Sequence, residues 1–368
     1  VTQTTGTQAR SRLRPRVVVA DDSALMRRIL SDALGKSGFD VVGTAHDGDS
    51  ALALCRSMRP DVLTLDLAMP GLDGMGVLRA LRQAASTIPV VVVSAFSPAA
   101  GARAVDCLAE GAVDLVAKPA AGEPLTTFTD ELAEKVALAA TAGKARARLA
   151  AAPAPAATAA ARRPAPAVPA RPAPARARAA GGKKIVVIAT STGGPRALAD
   201  LVPKLPARLG EGTLIVQHMP VGFTRSLAER LDRSSKLTVR EAEGGEALDP
   251  GVALIAPGGS HLRLAATGGV SLSQEAAIGG LRPRADITIS DVARRFGDRL
   301  LLVVLTGMGK DGLDGAREVR SRGGRILAEA ESTCTVYGMP RAIVEAGLAD
   351  AVFPLDQLPQ AIVQEAGQ

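Results

Sequence analysis

Polar residues able to do chemistry stand at the ends of apolar runs in two separate stretches of this 368-residue chain. In the first stretch Asp21 and Asp22 follow the run 17–20, Asp66 closes 62–65, Ser94 closes 90–93, and Lys118-Pro119 follows 113–116. Three clustered carboxylates repel one another unless something cationic sits among them. A hard, oxygen-liganded ion such as Mg²⁺ meets that need while keeping several waters. One carboxylate could then accept a phosphoryl group, with Lys118 neutralising charge on the phosphoryl oxygens and Ser94 supplying a hydroxyl that follows the new group. Taken singly, each of these acids reads as an ordinary helix cap or loop acid.

The second stretch opens with Thr190-Ser191-Thr192-Gly193-Gly194-Pro195, directly after an apolar run. Pro195 suits a first helical turn, so Ser191 is expected on a strand-to-helix turn where glycines allow close approach and a helix N-terminus favours developing negative charge. A serine so placed could be a nucleophile. The turn also reads as an anion-binding loop, although it lacks a Walker lysine and a GxGxxG pattern. A nucleophilic serine needs a base, and the chain has three histidines, His46, His218 and His261. His46 lies in the first stretch, and His261 reads as a structural or pocket-wall residue. His218 follows the run 214–217 and should emerge on the same sheet edge as Ser191. The run 300–305 leads into Thr306-Gly307-Met308-Gly309-Lys310-Asp311-Gly312, which puts Asp311 in position to orient His218. On its own Asp311 reads equally as a helix N-cap. A backbone N–H near Met308 is expected to serve an oxyanion hole, with Thr192 and Gly193 in support.

Those residues need two scaffolds. Before residue 140, five short apolar runs alternate with stretches of helical period such as 23–36 and 99–110, which predicts a five-stranded parallel sheet of flavodoxin-like α/β type. Ligands then sit at the carboxyl ends of the strands. From residue 183 the alternation resumes, with strands expected at 184–190, 213–217, 252–256, 300–305 and 324–328. This predicts a second doubly wound α/β unit, and 262–273 reads as an inserted β-hairpin around Thr267-Gly268-Gly269. Between the two, residues 143–182 are almost wholly Ala, Pro and Arg, with seven prolines from Pro153 to Pro174 and no hydrophobic face to bury. The expected organisation is a disordered basic arm at 1–15, a first domain at 16–140, a semi-rigid linker at 141–182, and a second domain at 183–368.

The joint pattern of VVVADDS at 17–23, LTLDLAMPGLDG at 63–74, VVVSA at 91–95 and VAKP at 116–119 resembles the receiver domain of response regulators. That resemblance implies Asp66 as the phosphorylation site, Asp21 and Asp22 with Asp66 as Mg²⁺ acids, and Ser94 and Lys118 as switch residues. One departure is Leu115, where receivers often carry an aromatic. IATSTGGPRAL at 188–198, QHMPVGFTRSLAERL at 217–231, LTGMGKDG at 305–312 and YGMPRAI at 337–343 resemble the catalytic domain of chemotaxis protein-glutamate methylesterases. By that likeness Ser191, His218 and Asp311 form a triad that hydrolyses glutamate γ-methyl esters on the cytoplasmic helices of chemoreceptors, with glutamine deamidation as a second reaction. A histidine kinase is the implied phosphodonor, and no cofactor is expected in the catalytic half.

Composition narrows the alternatives. The chain carries a net charge of +7, and eight basic residues without an acid fall within 143–182, so the remainder sums to about −1. The basic pI therefore says little about nucleic acid, and with 2% aromatics and no Trp there are few stacking platforms. A DNA-binding regulator would need a helix-turn-helix after the linker, where this chain is strand-rich. Cys55, Cys107 and Cys334 form no CxxC pair, so no zinc site or disulfide framework is indicated. No run of 18 apolar residues is free of charge and Pro, and the N-terminus lacks a signal layout, so no membrane insertion is expected; the scattered cysteines fit a reducing cytoplasm, and a monomer is the default expectation for this architecture. The rival from another class is a phosphorylation-controlled binding module without esterase activity.

Overall fold

The computed structural model describes residues 14–95, 98–119, 124–151, 183–265 and 267–367. Most of the expected N-terminal arm and of the Ala/Pro/Arg linker therefore lies outside the described residues.

The first unit has strands β1 (Arg16–Ala20), β2 (Asp40–Ala45), β3 (Val62–Leu65), β4 (Val90–Ser94) and β5 (Asp114–Ala117), each followed by a helix: α1 (Ala24–Lys36), α2 (Gly48–Met58), α3 (Gly74–Gln83), α4 (Pro98–Glu110) and α5 (Leu125–Ala151). The strands are parallel, in the order β2-β1-β3-β4-β5. Helices on both faces explain why the strands read as unbroken apolar runs rather than as an alternation. Val17 and Val19 face Leu30 and Leu34 of α1 and Leu132 and Val136 of α5, whereas Val18, Leu63 and Leu65 face the opposite layer with Leu52 and Leu78. Each such side chain, fully buried, contributes about 1.5–3 kcal/mol. Helix α5 runs through Ala151, past the boundary expected at residue 140. Ala, Lys and Arg are strong helix formers, and the first proline to stop them is Pro153.

The second unit is a seven-stranded parallel sheet. Its strands are β6 (Ile185–Thr190), β7 (Gly212–Gln217), β8 (Thr238–Glu241), β9 (Val252–Ile255), β12 (Leu300–Val304), β13 (Arg325–Glu329) and β14 (Ala351–Phe353), in the order β14-β13-β12-β6-β7-β9-β8. Strands β10 (His261–Leu264) and β11 (Val270–Ser273) pair antiparallel as a separate hairpin. The helices are α6 (Gly194–Leu201), α7 (Phe223–Ser234), α8 (Ala285–Phe296), α9 (Leu313–Ser321), α10 (Met339–Glu345) and α11 (Leu358–Ala366). The chain winds from β6 outward through β7 and β9, then returns to lay β12 against the other side of β6. That reversal makes the carboxyl ends of β6, β7 and β12 a switch-point crevice. Strands β8 and β14 have no counterpart in the sequence expectation. They are short sheet edges, partly exposed, and so lack the long apolar run that marks a doubly covered strand. The two units meet where α4 packs on α6 and α7, and one apolar cluster runs from Val105 and Leu108 across to Leu198, Phe223 and Leu227.

Candidate active site

Ser191 sits one residue past β6, on a turn fixed by its neighbour strand. Its N–H donates to the Thr306 carbonyl (3.1 Å), the Thr190 hydroxyl donates to the same oxygen (2.8 Å), and the Thr306 hydroxyl donates to the Thr192 carbonyl (2.9 Å). The turn closes through the Gly194 N–H on the Ser191 carbonyl (2.8 Å). Two glycines are required here. Gly193 has φ +80° and a Cβ on it would lie 2.4 Å from the Thr335 Cβ, while a Cβ on Gly307 would lie 2.9 Å from the Ser191 Cβ. The Ser191 turn and the Gly307 turn are thus closely packed.

His218 leaves β7 beside this turn, its N–H donating to the Thr190 carbonyl (3.2 Å). Its Nε2 donates to Asp311 Oδ2 at 2.7 Å, with side-chain exposures of 8% and 2%. That bond leaves Nδ1 as the ring nitrogen free to act as a base. Asp311 is held by more than the imidazole: the N–H groups of Ala285 (2.7 Å), Asp286 (3.0 Å) and Gly312 (3.0 Å) all donate to it. The first two belong to the opening turn of α8, so a helix N-terminus aims its amides at this carboxylate. Burial by itself would raise the Asp311 pKa, but His218 and those amides outweigh it and hold the group well below the usual carboxylate range. A buried, ionised acid is the orienting partner a catalytic imidazole needs.

Ser191, Thr192, His218 and Met308 line one cavity of about 590 Å³, together with Met219 and Pro220. Gly193 lies away from it, lining a second cavity of about 450 Å³ with Arg196 and Thr335, so its part is to permit the turn. His261 is fully buried, its Nδ1 accepting from the Arg284 N–H (3.2 Å), which makes it a support for the loop entering α8. Asp286 and Thr306 matter here without having stood out in the sequence. Asp286 accepts from the N–H groups of Gly312 and Gly315 (both 2.9 Å), fixing the start of α9 behind Asp311. An acid three residues after Pro283, at the head of a helical period, was the available signal; Thr306 had none beyond its place in the strand-end turn.

The first unit gathers its own set. Asp21, Asp22 and Asp66 each offer an oxygen within 4.8 Å of the others. The Lys118 ammonium lies 2.7 Å from both Asp21 Oδ2 and Asp66 Oδ2. Burial of Lys118 would lower its pKa, but the two carboxylates prevail and raise it. Asp21 is also raised, first by burial and then by the neighbouring Asp66 against the pull of Lys118. One ammonium does not satisfy three carboxylates, and this donor set fits a hard divalent cation. Ser94 is buried at the end of β4, and its carbonyl accepts from the Lys118 N–H (2.8 Å), joining the two strand ends.

The second unit's site is not open on all sides. Asp114, Thr127, Asp130, Glu131 and Glu134 of the first unit line the same 590 Å³ cavity as Ser191. The Thr192 hydroxyl donates to the Asp114 carboxylate, and Lys135, on the same cavity wall, pairs with Asp114 (3.3 Å). At the α4–α7 seam Arg230 pairs with Asp106.

Residues 17–130 match the response regulator receiver domain, and residues 186–362 match the CheB methylesterase family. Over 96% of its length the chain is 43% identical to a protein-glutamate methylesterase/protein-glutamine glutaminase of Symbiobacterium thermophilum, covering 97% of that protein. Over 95% it is 39% identical to the protein of the same name from Thermotoga maritima, covering 98% of it. Among solved structures it is similar to the CheB methylesterase catalytic domain of T. maritima, with 46% identity over 50% of this chain and 98% of that one and a TM-score of 0.48. The response regulator domain of T. maritima CheB is also similar, at 36% identity over 35% of this chain and 97% of that one, with a TM-score of 0.32.

Proposed function

The chain belongs to the family of receiver-linked CheB methylesterases, and we propose that Ser191, His218 and Asp311 carry its ester hydrolysis. The enzyme removes methyl groups from glutamate methyl esters of chemoreceptors, and its relatives bear the name of a glutaminase as well. The observation that carries the proposal is His218, bonded to a buried Asp311, standing on the same cavity wall as Ser191. Ser191 Oγ attacks the side-chain carbonyl of the modified residue while His218 Nδ1 takes the hydroxyl proton. The tetrahedral oxyanion forms beside Thr192 and the Met308 backbone. Collapse breaks the bond to methoxide, which leaves as methanol with the proton from His218. Water then attacks the acyl-serine, His218 again accepting a proton, and glutamate and free Ser191 result. With a glutamine substrate the first leaving group is ammonia. Asp311 stays ionised and stabilises the imidazolium at each step.

The same reading assigns residues 16–140 to the receiver, with α5 carrying on to Ala151, residues 141–182 to the linker, and residues 183–368 to the esterase. Asp66 is the phosphoryl acceptor, and Asp21, Asp22 and Asp66 would hold Mg²⁺, which supplies charge neutralisation to phosphoryl transfer. Lys118 holds the phosphoryl oxygens and Ser94 follows them. A histidine kinase is the phosphodonor, the receptors' cytoplasmic helices are the substrate, and the enzyme works in the cytoplasm as a monomer without a cofactor of its own. Among the described residues no helix is long and apolar enough to cross a membrane. The unphosphorylated receiver restricts the cleft through Asp114 and α5, and phosphorylation of Asp66 weakens that contact.

Methanol release from methylated receptor tests the catalytic assignment. Ser191→Ala should lose on the order of 10⁶ in kcat, the scale of nucleophile removal in comparable triads. Substantial turnover by that variant would remove Ser191 from the mechanism and favour the docking-module alternative for this half.

A further inference from the structure

Gln217 is the last residue of β7 and is buried, with 2% exposure. In the parallel register of β6 and β7 it lies opposite Thr190. Each of these residues therefore stands one position before a catalytic side chain, Thr190 before Ser191 and Gln217 before His218. The strand ladder ends here, and the two turns diverge toward their separate helices. Across that gap the Gln217 side chain donates both protons of its amide: Nε2 to the Ser191 carbonyl (2.9 Å) and Nε2 to the His218 carbonyl (2.9 Å). Two carbonyl oxygens pointing into one space repel, and a single group with two N–H donors joins them.

The other end of the carboxamide tells the same story. Gln217 Oε1 is buried and takes no hydrogen bond among the described residues, a standing cost for a polar atom. It rests against Gly194, where a Cβ would approach to 2.0 Å. The first residue of α6 is thus a glycine where the amide needs room. An ionised glutamate of the same shape would have no protons to give, and an asparagine would fall short by one methylene.

We propose that Gln217 is a positioning residue for the ester hydrolysis, its carboxamide fixing the spacing between nucleophile and base by holding the Ser191 and His218 carbonyls together. The proposal rests on the assignment of Ser191 and His218 above. A misplacement of about 1 Å between reacting groups costs on the order of 100-fold in rate, so a lost clamp should appear in kcat rather than in KM.

The test uses the full-length chain, phosphorylated, with methylated receptor as substrate and methanol as the readout. Gln217→Met keeps the length and removes both donors. A fivefold or greater fall in kcat, with KM within twofold and a wild-type melting temperature to within a few degrees, supports the clamp. A kcat within fivefold of wild type, or an effect confined to KM, overturns it. If that variant does not fold, Gln217→Glu decides, because a protonated glutamate regains one O–H donor. Its rate relative to wild type should rise as the pH is lowered from 8 to 5.5, and a flat ratio overturns the proposal. Taking the ratio removes the pH dependence that substrate and assay give both enzymes. Ser191→Ala run alongside separates the two claims: a dead Ser191→Ala beside an unaffected Gln217→Met sinks only the clamp, whereas an active Ser191→Ala sinks the triad.

Discussion

Two buried acids near the active site are pushed in opposite directions, and their neighbours decide which way. Asp311 receives three backbone N–H groups and an imidazole, so it stays charged despite burial. A depressed folded-state pKa gives stability that is present above the unfolded value and is lost only as pH falls through the folded one, so this residue should hold its charge throughout the neutral range. Asp311→Asn keeps the shape but turns an amide group toward donors. By analogy with the triad acid of serine proteases its kcat should fall on the order of 10⁴-fold with little change in KM, measured by methanol release. Glu329, at the end of β13, is fully buried and accepts from the Thr306 N–H at 2.8 Å. Burial outweighs that bond and its pKa is raised. A raised value reverses the sign: the stability is present below the ordinary Glu range and is lost as pH rises through the folded pKa. Glu329→Gln, neutral and of equal size, should therefore melt above wild type at pH 8, with the difference closing toward pH 4. Thermal melts at the two pH values check this, and an equal gap at both would show that Glu329 does not titrate between them.

At the scale of elements, the parts legible in the sequence are those whose residue types are forced by both position and chemistry. Strands β1, β3 and β4 of the receiver and β6, β7, β9, β12 and β13 stand out because strands covered on both faces must be apolar throughout, and the acids and serines that end them stand out against that background. Edge strands carry no such demand: β2 still shows a short apolar run, whereas β8 and β14 show none long enough to read. Thr306, Asp286, Glu329 and Gln217 were illegible for a different reason. They act on backbone groups of residues distant in the chain, Thr306 on Thr192 and Asp286 on Gly312, and nothing local marks such contacts. The α4–α7 seam is a similar case, since a glycine within a helical period gave no hint of close packing. A Cβ on Gly101 would come 3.1 Å from the Ser226 hydroxyl, tighter than ordinary contact, so a side chain as large as leucine there crowds the seam between the two helices. Gly101→Leu improves helix propensity by about 1 kcal/mol, which leaves α4 itself no weaker. The unphosphorylated enzyme should then hydrolyse methyl esters several-fold faster than wild type, approaching the phosphorylated rate. An unchanged basal rate would mean that this seam does not hold the receiver over the cleft. Opening only the half-buried Arg230–Asp106 pair should have a smaller effect, within about fivefold, because ion pairs open to solvent contribute about 0.2–1 kcal/mol.

For the whole molecule, the arrangement predicts that metal dependence and catalysis separate. The acids suited to Mg²⁺ belong to the receiver, and the ester chemistry assigned to Ser191, His218 and Asp311 uses a hydroxyl, an imidazole and a carboxylate. What joins the two is the shared cavity wall, where Asp114 at the start of β5 accepts from Thr192 and Lys118 at the end of the same strand pairs with Asp66. Strand β5 therefore has the proposed phosphoryl acceptor, Asp66, near its carboxyl end and the Ser191–Thr192 turn at its amino end. A group added at Asp66 changes the charge that Lys118 must balance, and a shift of β5 or of its neighbouring helices is felt at Asp114. Every tenfold activation corresponds to about 1.4 kcal/mol of receiver contact removed from the closed form. With Mg²⁺ and a small-molecule phosphodonor, the rate of methanol release should rise. A chelator should abolish the rise yet leave the basal rate intact, and Asp66→Ala with Mg²⁺ should behave as the chelated wild type does. A basal rate that falls with the chelator would place a metal in the ester chemistry itself, and an Asp66→Ala enzyme still activated by the phosphodonor would put the acceptor elsewhere.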